Sequence, residues 1–362
     1  MSVTYRLILP DQLDETLQQV WRTIQQEDAA YSSPCFCPEY TLAVSRVRDD
    51  VRIVVIEQER QPVGFFAYQH AGWRLGRPVG GAFSDYHGVI VRPGVDWRLE
   101  AVLREAGLSI WVFDHLSGAT SHFQPYVRNE AHSPVIDLSN GFEAFERCLK
   151  EAASDFMPHT RRMARKLARE VGELRFVLHE PDALAQVIEW KSAQYRRGHP
   201  AGKDVVFTNP WTTALLREIL AVQQADFAGV CSALYAGDRL VAAHMGMRSK
   251  SDWHYWFPAY DPDFSKYSPG SVLMLRMAEA AQSQGIQVID LGKGASRYKS
   301  TLMTGKRPLQ EGSVELPSIR TTVRKVLRAA ELRQSAGGTL LPTLLNLPVR
   351  AMRKIERMRR FR

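Results

Sequence analysis

The chain has 362 residues, 45% of them hydrophobic and 24% charged, with a formal net charge of +8. That length exceeds what a single core comfortably fills and suits two ordinary domains, and that composition excludes disorder for most of the chain. The charge is uneven: residues 318–362 hold twelve Lys and Arg against two acids, so the 317 residues before them are close to neutral and no nucleic-acid partner is expected.

Four cysteines, at 35, 37, 148 and 231, are too few and too irregular for a disulfide framework. The C-x-C pair Cys35/Cys37 lacks two further ligands at zinc-finger spacing, so no metal is expected. The start "MSVTYRLILPDQLDE" has no basic segment leading into an apolar run, and no window approaches the roughly 18 apolar residues of a membrane span. Both features predict a cytoplasmic protein.

Along the chain, Leu13, Leu17, Val20, Trp21 and Ile24 recur at helical spacing over residues 11–29. "VRIVVIEQERQPVGFFAYQHAGW" reads as two strands around a polar turn, "DYHGVIVRPG" as a third, "VDWRLEAVLREAG" as a helix and "LSIWVFDHL" as a strand. A second pass begins near Phe142. "FEAFERCLKEA" and "RRMARKLAREVG" are helical, "ELRFVLHE" is a strand, and "DALAQVIEWKSAQYRRG" and "NPWTTALLREILAVQQAD" are helices. Turn signals at Gly237-Asp238 and Ser249–Asp252 then divide three strand-length apolar runs up to Phe264. A helix from Gly270 to Gly285, the strand "QVIDLG", a short helix in "ASRYKSTL" and a strand near "GSVEL" complete the body. Both halves run helix, antiparallel strands, helix, strand. The spans expected are residues 1–145, 146–317 and a tail, 318–362.

The mouth of the helix after Ser268 is the most informative stretch. Ser268 is a candidate N-cap, Pro269 suits the first turn, and Gly270 and Ser271 keep that turn free of bulk, so its unpaired amides and partial positive charge suit a phosphate. The alternative is an ordinary helix start. Pro258 in the strand before it and the glycines of "DLGKG" in the strand after it open both strand ends beside the mouth, a cleft for an extended ligand bearing a pyrophosphate.

Residues 155–317 resemble the GNAT-like acetyltransferase domain of the cellulose-biosynthesis (CelD) type, through "AAHMG", "YWFPAYDPDFSKYSPGSVLM", "GIQVIDLGKG" and "RYKSTL". The resemblance implies an α+β fold of two GNAT-like domains, each a mixed, mainly antiparallel sheet flanked by helices, the first degenerate and similar in topology to Fem-type transferases. It implies acetyl-CoA as acyl donor, its pantetheine arm between the strands at Phe257, Ala259, Tyr260 and Gly292 and its pyrophosphate at Pro269, Gly270 and Ser271. It also implies a tyrosine that protonates the leaving thiolate, at Tyr298, and a sugar or glycan precursor as acceptor.

Acyl transfer needs a base, an oxyanion donor and an acid. Asp290, closing the apolar strand "IQVID", is the base candidate; the alternative is a carboxylate that accepts bonds from the glycine turn behind it. Tyr298 is either the acid or a packing residue. Lys299 is a candidate for a phosphate or carboxylate, and His244 in "VAAHMGM" either faces the cleft or is a core residue. Acceptor contacts are expected from Lys191, Tyr195 and Arg196 in "EWKSAQYRRG" and from Asp85, Tyr86 and His87 in "FSDYHG", the latter also a common turn. The tail "TLLPTLLNLPVRAMRKIERMRRFR", residues 339–362, sets Met352, Ile355 and Met358 on one stripe among arginines, a composition suited to peripheral contact with the inner membrane face. An aminoacyl transferase of the Fem kind, or a non-catalytic partner of a polysaccharide synthase, are the competing readings.

Overall fold

The computed structural model describes residues 2–317 apart from 119, 153, 199–203, 205 and 295. The basic tail, with its expected membrane contact, lies outside the described residues.

The chain opens with β1 (Val3–Ile8) and α1 (Glu15–Glu27), which starts where the Asp14 carboxylate accepts the Leu17 N–H at 2.8 Å. α2 (Pro38–Val47) begins on a proline. β2 (Val51–Gln58) and β3 (Gln61–His70) form a hairpin whose two turn residues, Glu59 and Arg60, both have positive φ, matching the twist of the strands. Then come β4 (Leu75–Arg77), β5 (Ile90–Val91), α3 (Leu99–Glu105), β6 (Ile110–Leu116), β7 (Val127–Asp137), α4 (Phe142–Glu151), α5 (Phe156–Glu170) and β8 (Leu174–Val177). α6 (Leu184–Gly198), α7 (Pro210–Ala221), β9 (Phe227–Ala236), β10 (Arg239–Ser249), β11 (Asp252–Tyr260), α8 (Pro269–Ala281), β12 (Val288–Asp290), α9 (Arg297–Leu302) and β13 (Gly305–Glu315) follow.

From β8 onward the helices and strands lie where the periodicities put them, except that β13 extends well beyond the short strand read near "GSVEL". Periodicity did not reveal β1, α2 or β7, and the strand read over "DYHGVIVRPG" shrinks to the two residues of β5. Asp85 and Tyr86 there are held by side-chain contacts, and His87 by a single parallel bridge to Leu116 of β6.

The strands form one mixed, mainly antiparallel sheet in the order β1-β2-β3-β4-β6-β13-β7-β12-β11-β10-β9-β8, with β5 on β3. β13 therefore returns from the end of the body to lie between β6 and β7, pairing with both. Apolar side chains sort by strand alternation, broken in β10 at the register shift between Leu240 and Ala242 that sets Val241 and Ala242 on one side. Ala243, Met245 and Met247 of β10 join a cluster that also holds Trp21, Tyr40, Phe65 and Leu215, while Val241 and Ala242 join one with Phe145, Leu167, Leu273 and Met277. A third cluster packs α3, through Val102 and Leu103, on Phe66 and Trp111. The first cluster spans both halves of the chain, which brings the loop at Asp85 against β11.

Candidate active site

The site arises from one interruption of the sheet. β11 and β12 run parallel with Asp252, Trp253 and His254 opposite Val288, Ile289 and Asp290, and there their pairing stops. Past that point β11 stays on β10, out to Tyr260 opposite Ala242, while Leu291 donates to Pro134 O at 3.0 Å beside β7. Each strand keeps its outer partner, so the two part. A β-bulge assists: between the pairs Met247–His254 and Met245–Phe257, Tyr255 and Trp256 of β11 face Gly246 alone. Only glycine fits there, since a Cβ at Gly246 would stand 2.2 Å from His254 O.

The gap is a cleft of about 450 Å³. Its walls include Ala259 and Tyr260 from β11, Pro269, Gly270 and Ser271 from α8, Gly292, Lys293, Tyr298 and Lys299 from beyond β12, Lys191 from α6, and Asp85 from the first half. The residues expected along an extended donor thus share one cavity, Phe257 excepted. Phe257 is buried against Phe83, Phe207 and Trp256 in the first core cluster, off the cleft.

The helix mouth differs in detail from expectation. Ser268 stands at the N-cap position but is left-handed, with φ 50° and ψ 50°, and its side chain caps nothing. Its carbonyl instead accepts from Ser271 and Val272, at 2.9 and 3.2 Å. Pro269 has no N–H, so among the described residues Gly270 is the first-turn amide with no backbone acceptor. A Cβ on Gly270 would lie 3.5 Å from the Tyr260 ring, on the cleft wall.

Asp290 is 2% exposed and lies behind the wall. It accepts hydrogen bonds from Gly292 N–H and Ser133 Oγ, each at 2.7 Å, and a short one from the Tyr86 hydroxyl. Arg307, 4.0 Å away, is held above its ordinary range by Asp252, Tyr86 and Asp290 against the opposing effect of burial. Tyr86 is accordingly buried, and burial followed by the Asp290 charge pushes its hydroxyl well above the ordinary range, so the expected acceptor contact at Tyr86 is a structural one. His87 is also removed from the cleft: its Nε2 accepts the backbone N–H groups of Asp114 and His115, both at 3.1 Å, and burial pushes it down to about 3.

His244 does not face the cleft. It is fully buried, stacked on Tyr255 at 4.6 Å between centroids, and burial pushes it down to about 3. Tyr195 packs on Phe207 in the first core cluster, and Arg196 is exposed outside the cleft.

The imidazole that supports the cleft wall is instead His254, which lies behind the wall and bonds the lining residue Asp85. It is 1% exposed, and its Nε2 lies 2.9 Å from Asp85 Oδ2, with Nδ1 3.8 Å from Asp290 Oδ1. Burial pushes His254 down, but the hydrogen bond and charge of Asp85, then Asp290, more than offset this and leave it raised. Asp85 is in turn held below the ordinary carboxylate range by His254 and His115, against the upward push of burial. On the far wall Tyr298 is 42% exposed, its hydroxyl raised by burial. Among the described residues no group of His, Cys, Asp and Glu is arranged to hold a metal ion.

Residues 154–300 match the family described as the acetyltransferase (GNAT) domain. No curated protein matches the chain. Among solved structures it is similar to FemX, at 9% identity over 90% of this chain and 100% of that one, with a TM-score of 0.59. It is similar also to the C-terminal domain of a protein assigned as a lysylphosphatidylglycerol synthetase from Agrobacterium fabrum (14% identity, 87% and 95% covered, TM-score 0.52). A third likeness is to a conserved protein of unknown function from Bacteroides thetaiotaomicron (10% identity, 87% and 100% covered, TM-score 0.53). At these identities the likeness is one of fold. The match to a GNAT acetyltransferase domain covers residues 154–300, and the fold over both halves is similar to that of a Fem-type protein.

Proposed function

We propose that the protein is an acyl-CoA-dependent transferase that moves an acyl group, with acetyl-CoA as donor, to an amine or hydroxyl of a small acceptor, a sugar or glycan precursor as in the cellulose-biosynthesis type. The observation that carries this reading is the parting of β11 and β12 beside the mouth of α8. From Tyr255 onward β11 has no ladder partner on its β12 side, so its backbone polar groups there are available to an amide-bearing arm such as pantetheine. The Gly270 amide and the positive end of α8 suit the pyrophosphate. In the reaction the acceptor's N or O forms a bond to the acyl carbon and the C–S bond breaks. Tyr298 protonates the departing thiolate. Asp85, the carboxylate on the cleft wall, receives the acceptor's proton and passes it to solvent; Asp290, with its oxygens engaged, orients Tyr86, Ser133 and the Gly292 turn.

Calorimetric titration with acetyl-CoA tests the donor, with Gly270→Glu as the control. The variant adds bulk against Tyr260 and a like charge at the phosphate position, so its Kd is expected to rise about tenfold or more, which is about 1.4 kcal/mol. A wild-type protein that fails to bind millimolar donor, or a folded variant of unchanged affinity, overturns the assignment. An aminoacyl transfer of the Fem kind is the second reading, favoured by the exposed Arg162, Arg165 and Arg169 along α5; tight binding of RNA in place of acetyl-CoA in the same titration selects it.

A further inference from the structure

Two ammonium groups on the cleft wall lack an ion pair among the described residues, although the charges of Asp85 and Asp290 reach Lys299. Lys191 Nζ donates to Gln194 Oε1 at 3.0 Å, and Lys299 Nζ donates to the carbonyls of Gly292 and Lys293 at 2.8 and 3.1 Å. Among the described residues neither forms an ion pair, whereas the third lysine of the wall, Lys293, is paired with Glu311, and Asp85 with His254. Burial pushes Lys191 down to about 8, and the charge of Lys299 adds to the effect. Holding two like charges in one partly buried cavity is costly unless an anion joins them.

The space for such a group is the cleft itself, about 450 Å³, which both lysines line. Gly292 lines it with φ +74° and no side chain; a Cβ there would stand 3.4 Å from Asp85 Oδ2 and 3.7 Å from Lys299 Nζ, between the acceptor's base and the ammonium. The mouth of α8, where the donor's pyrophosphate is read, is built from other residues. We infer that the acceptor carries an anionic group, a carboxylate or a phosphate, bound by Lys191 and Lys299, with its nucleophilic amine or hydroxyl turned toward Asp85. This rests on the acyltransferase reading and narrows its substrate class: an acid-bearing acceptor in place of a neutral sugar.

The test compares matched acceptors under saturating acetyl-CoA: an amino sugar against its 6-phosphate, and an α-amino acid against its carboxamide. Calorimetry of inorganic phosphate and of acetate, with and without CoA, runs beside it. The wild type is expected to favour one anionic member about tenfold or more in kcat/KM, and the pair that shows the preference separates phosphate from carboxylate. Lys191→Met is expected to erase that preference and to weaken the matching anion about tenfold, while acetyl-CoA Kd stays within about twofold. Equal use of neutral and anionic acceptors, or no anion binding where no acceptor turns over, overturns the inference. So does a Lys191→Met protein that loses acetyl-CoA affinity instead, because the lysine then serves the donor. Failure of the acyltransferase reading looks different: acetyl-CoA does not bind, while the anion titration of the CoA-free protein still decides the lysine site.

Discussion

His244 and His254 lie ten residues apart on paired strands, and the structure gives them opposite environments. His244 is sealed in apolar surroundings with both ring nitrogens unpartnered, whereas Asp85 reaches His254 from the first half of the chain. The distinction was not legible from local pattern: "VAAHMGM" and "WHYWF" both read as apolar strands with one imidazole, and Asp85 is 169 residues from His254 along the sequence. Only the tertiary fold shows which histidine has a carboxylate. Stability against pH reads the difference. A raised His254 contributes stability that is present below the ordinary histidine value and is lost as pH rises through the raised one. In Asp85→Asn burial is no longer offset by that charge, so the sign reverses and the variant loses stability as pH falls toward the ordinary value. His87 and His244 are pushed down to about 3 chiefly by burial, well below the window of the test, and Asp290 and Lys299 face His254 in both proteins. Chemical denaturation from about pH 9 down to 6 should therefore show the gap between wild type and Asp85→Asn widening as pH falls. A gap that stays constant would mean that His254 does not carry the proton.

At the scale of elements, β11, β12 and α8 were read closely, because Pro258, the glycines of "DLGKG" and the Ser-Pro-Gly start are backbone signals that act where they stand. What pattern could not show is the bulge that parts the strands, since it depends on register between β10 and β11 and not on either strand alone. For the same reason Ser268 read as an ordinary cap, although the preceding short helical turn, Pro262–Tyr267, ends by turning Ser268 left-handed. Gly246 is the residue that permits the bulge. In Gly246→Ala the new methyl meets the His254 carbonyl at 2.2 Å and the His244 ring at 2.6 Å, and neither backbone nor buried ring can retreat without shifting β11. Overpacking of this kind costs about 1–3 kcal/mol. The expected outcome is a lower melting temperature by several degrees together with at least about tenfold weaker acetyl-CoA binding, because the cleft wall moves with the bulge. Loss of stability with unchanged donor affinity would show that the bulge supports the fold alone and does not aim β11 at the ligand.

At the scale of the molecule, the two passes of helix, antiparallel strands, helix and strand were visible in the sequence, but their joining was not. β13 was expected as a short strand near "GSVEL" and is instead eleven residues long, filling the place between β6 and β7. Its register with β7 runs from Gly305 opposite Val135 to Gly312 opposite Val127, and with β6 from Gln310 opposite Leu116 to Glu315 opposite Ile110. Leu309 and Val314 bury their side chains in two different core clusters, so the strand contributes to the core on both sides of the sheet. No sequence period reports such a return, because its partners lie about 170 to 200 residues earlier in the chain. A chain ending at Thr304 would leave β6 and β7 with facing unpaired edges and remove both core residues. Each buried aliphatic side chain is worth about 1.5–3 kcal/mol, and the exposed strand edges template aggregation. With total stability on the order of 5–15 kcal/mol, the shortened chain is expected to be insoluble or to lack a cooperative melting transition, and its first half to be no better ordered than its second. Proteolysis of the purified 1–304 protein discriminates. A resistant fragment covering residues 1–116 would show that the first half holds its core without β13, and the continuous sheet would then be an assembly of two independently stable units.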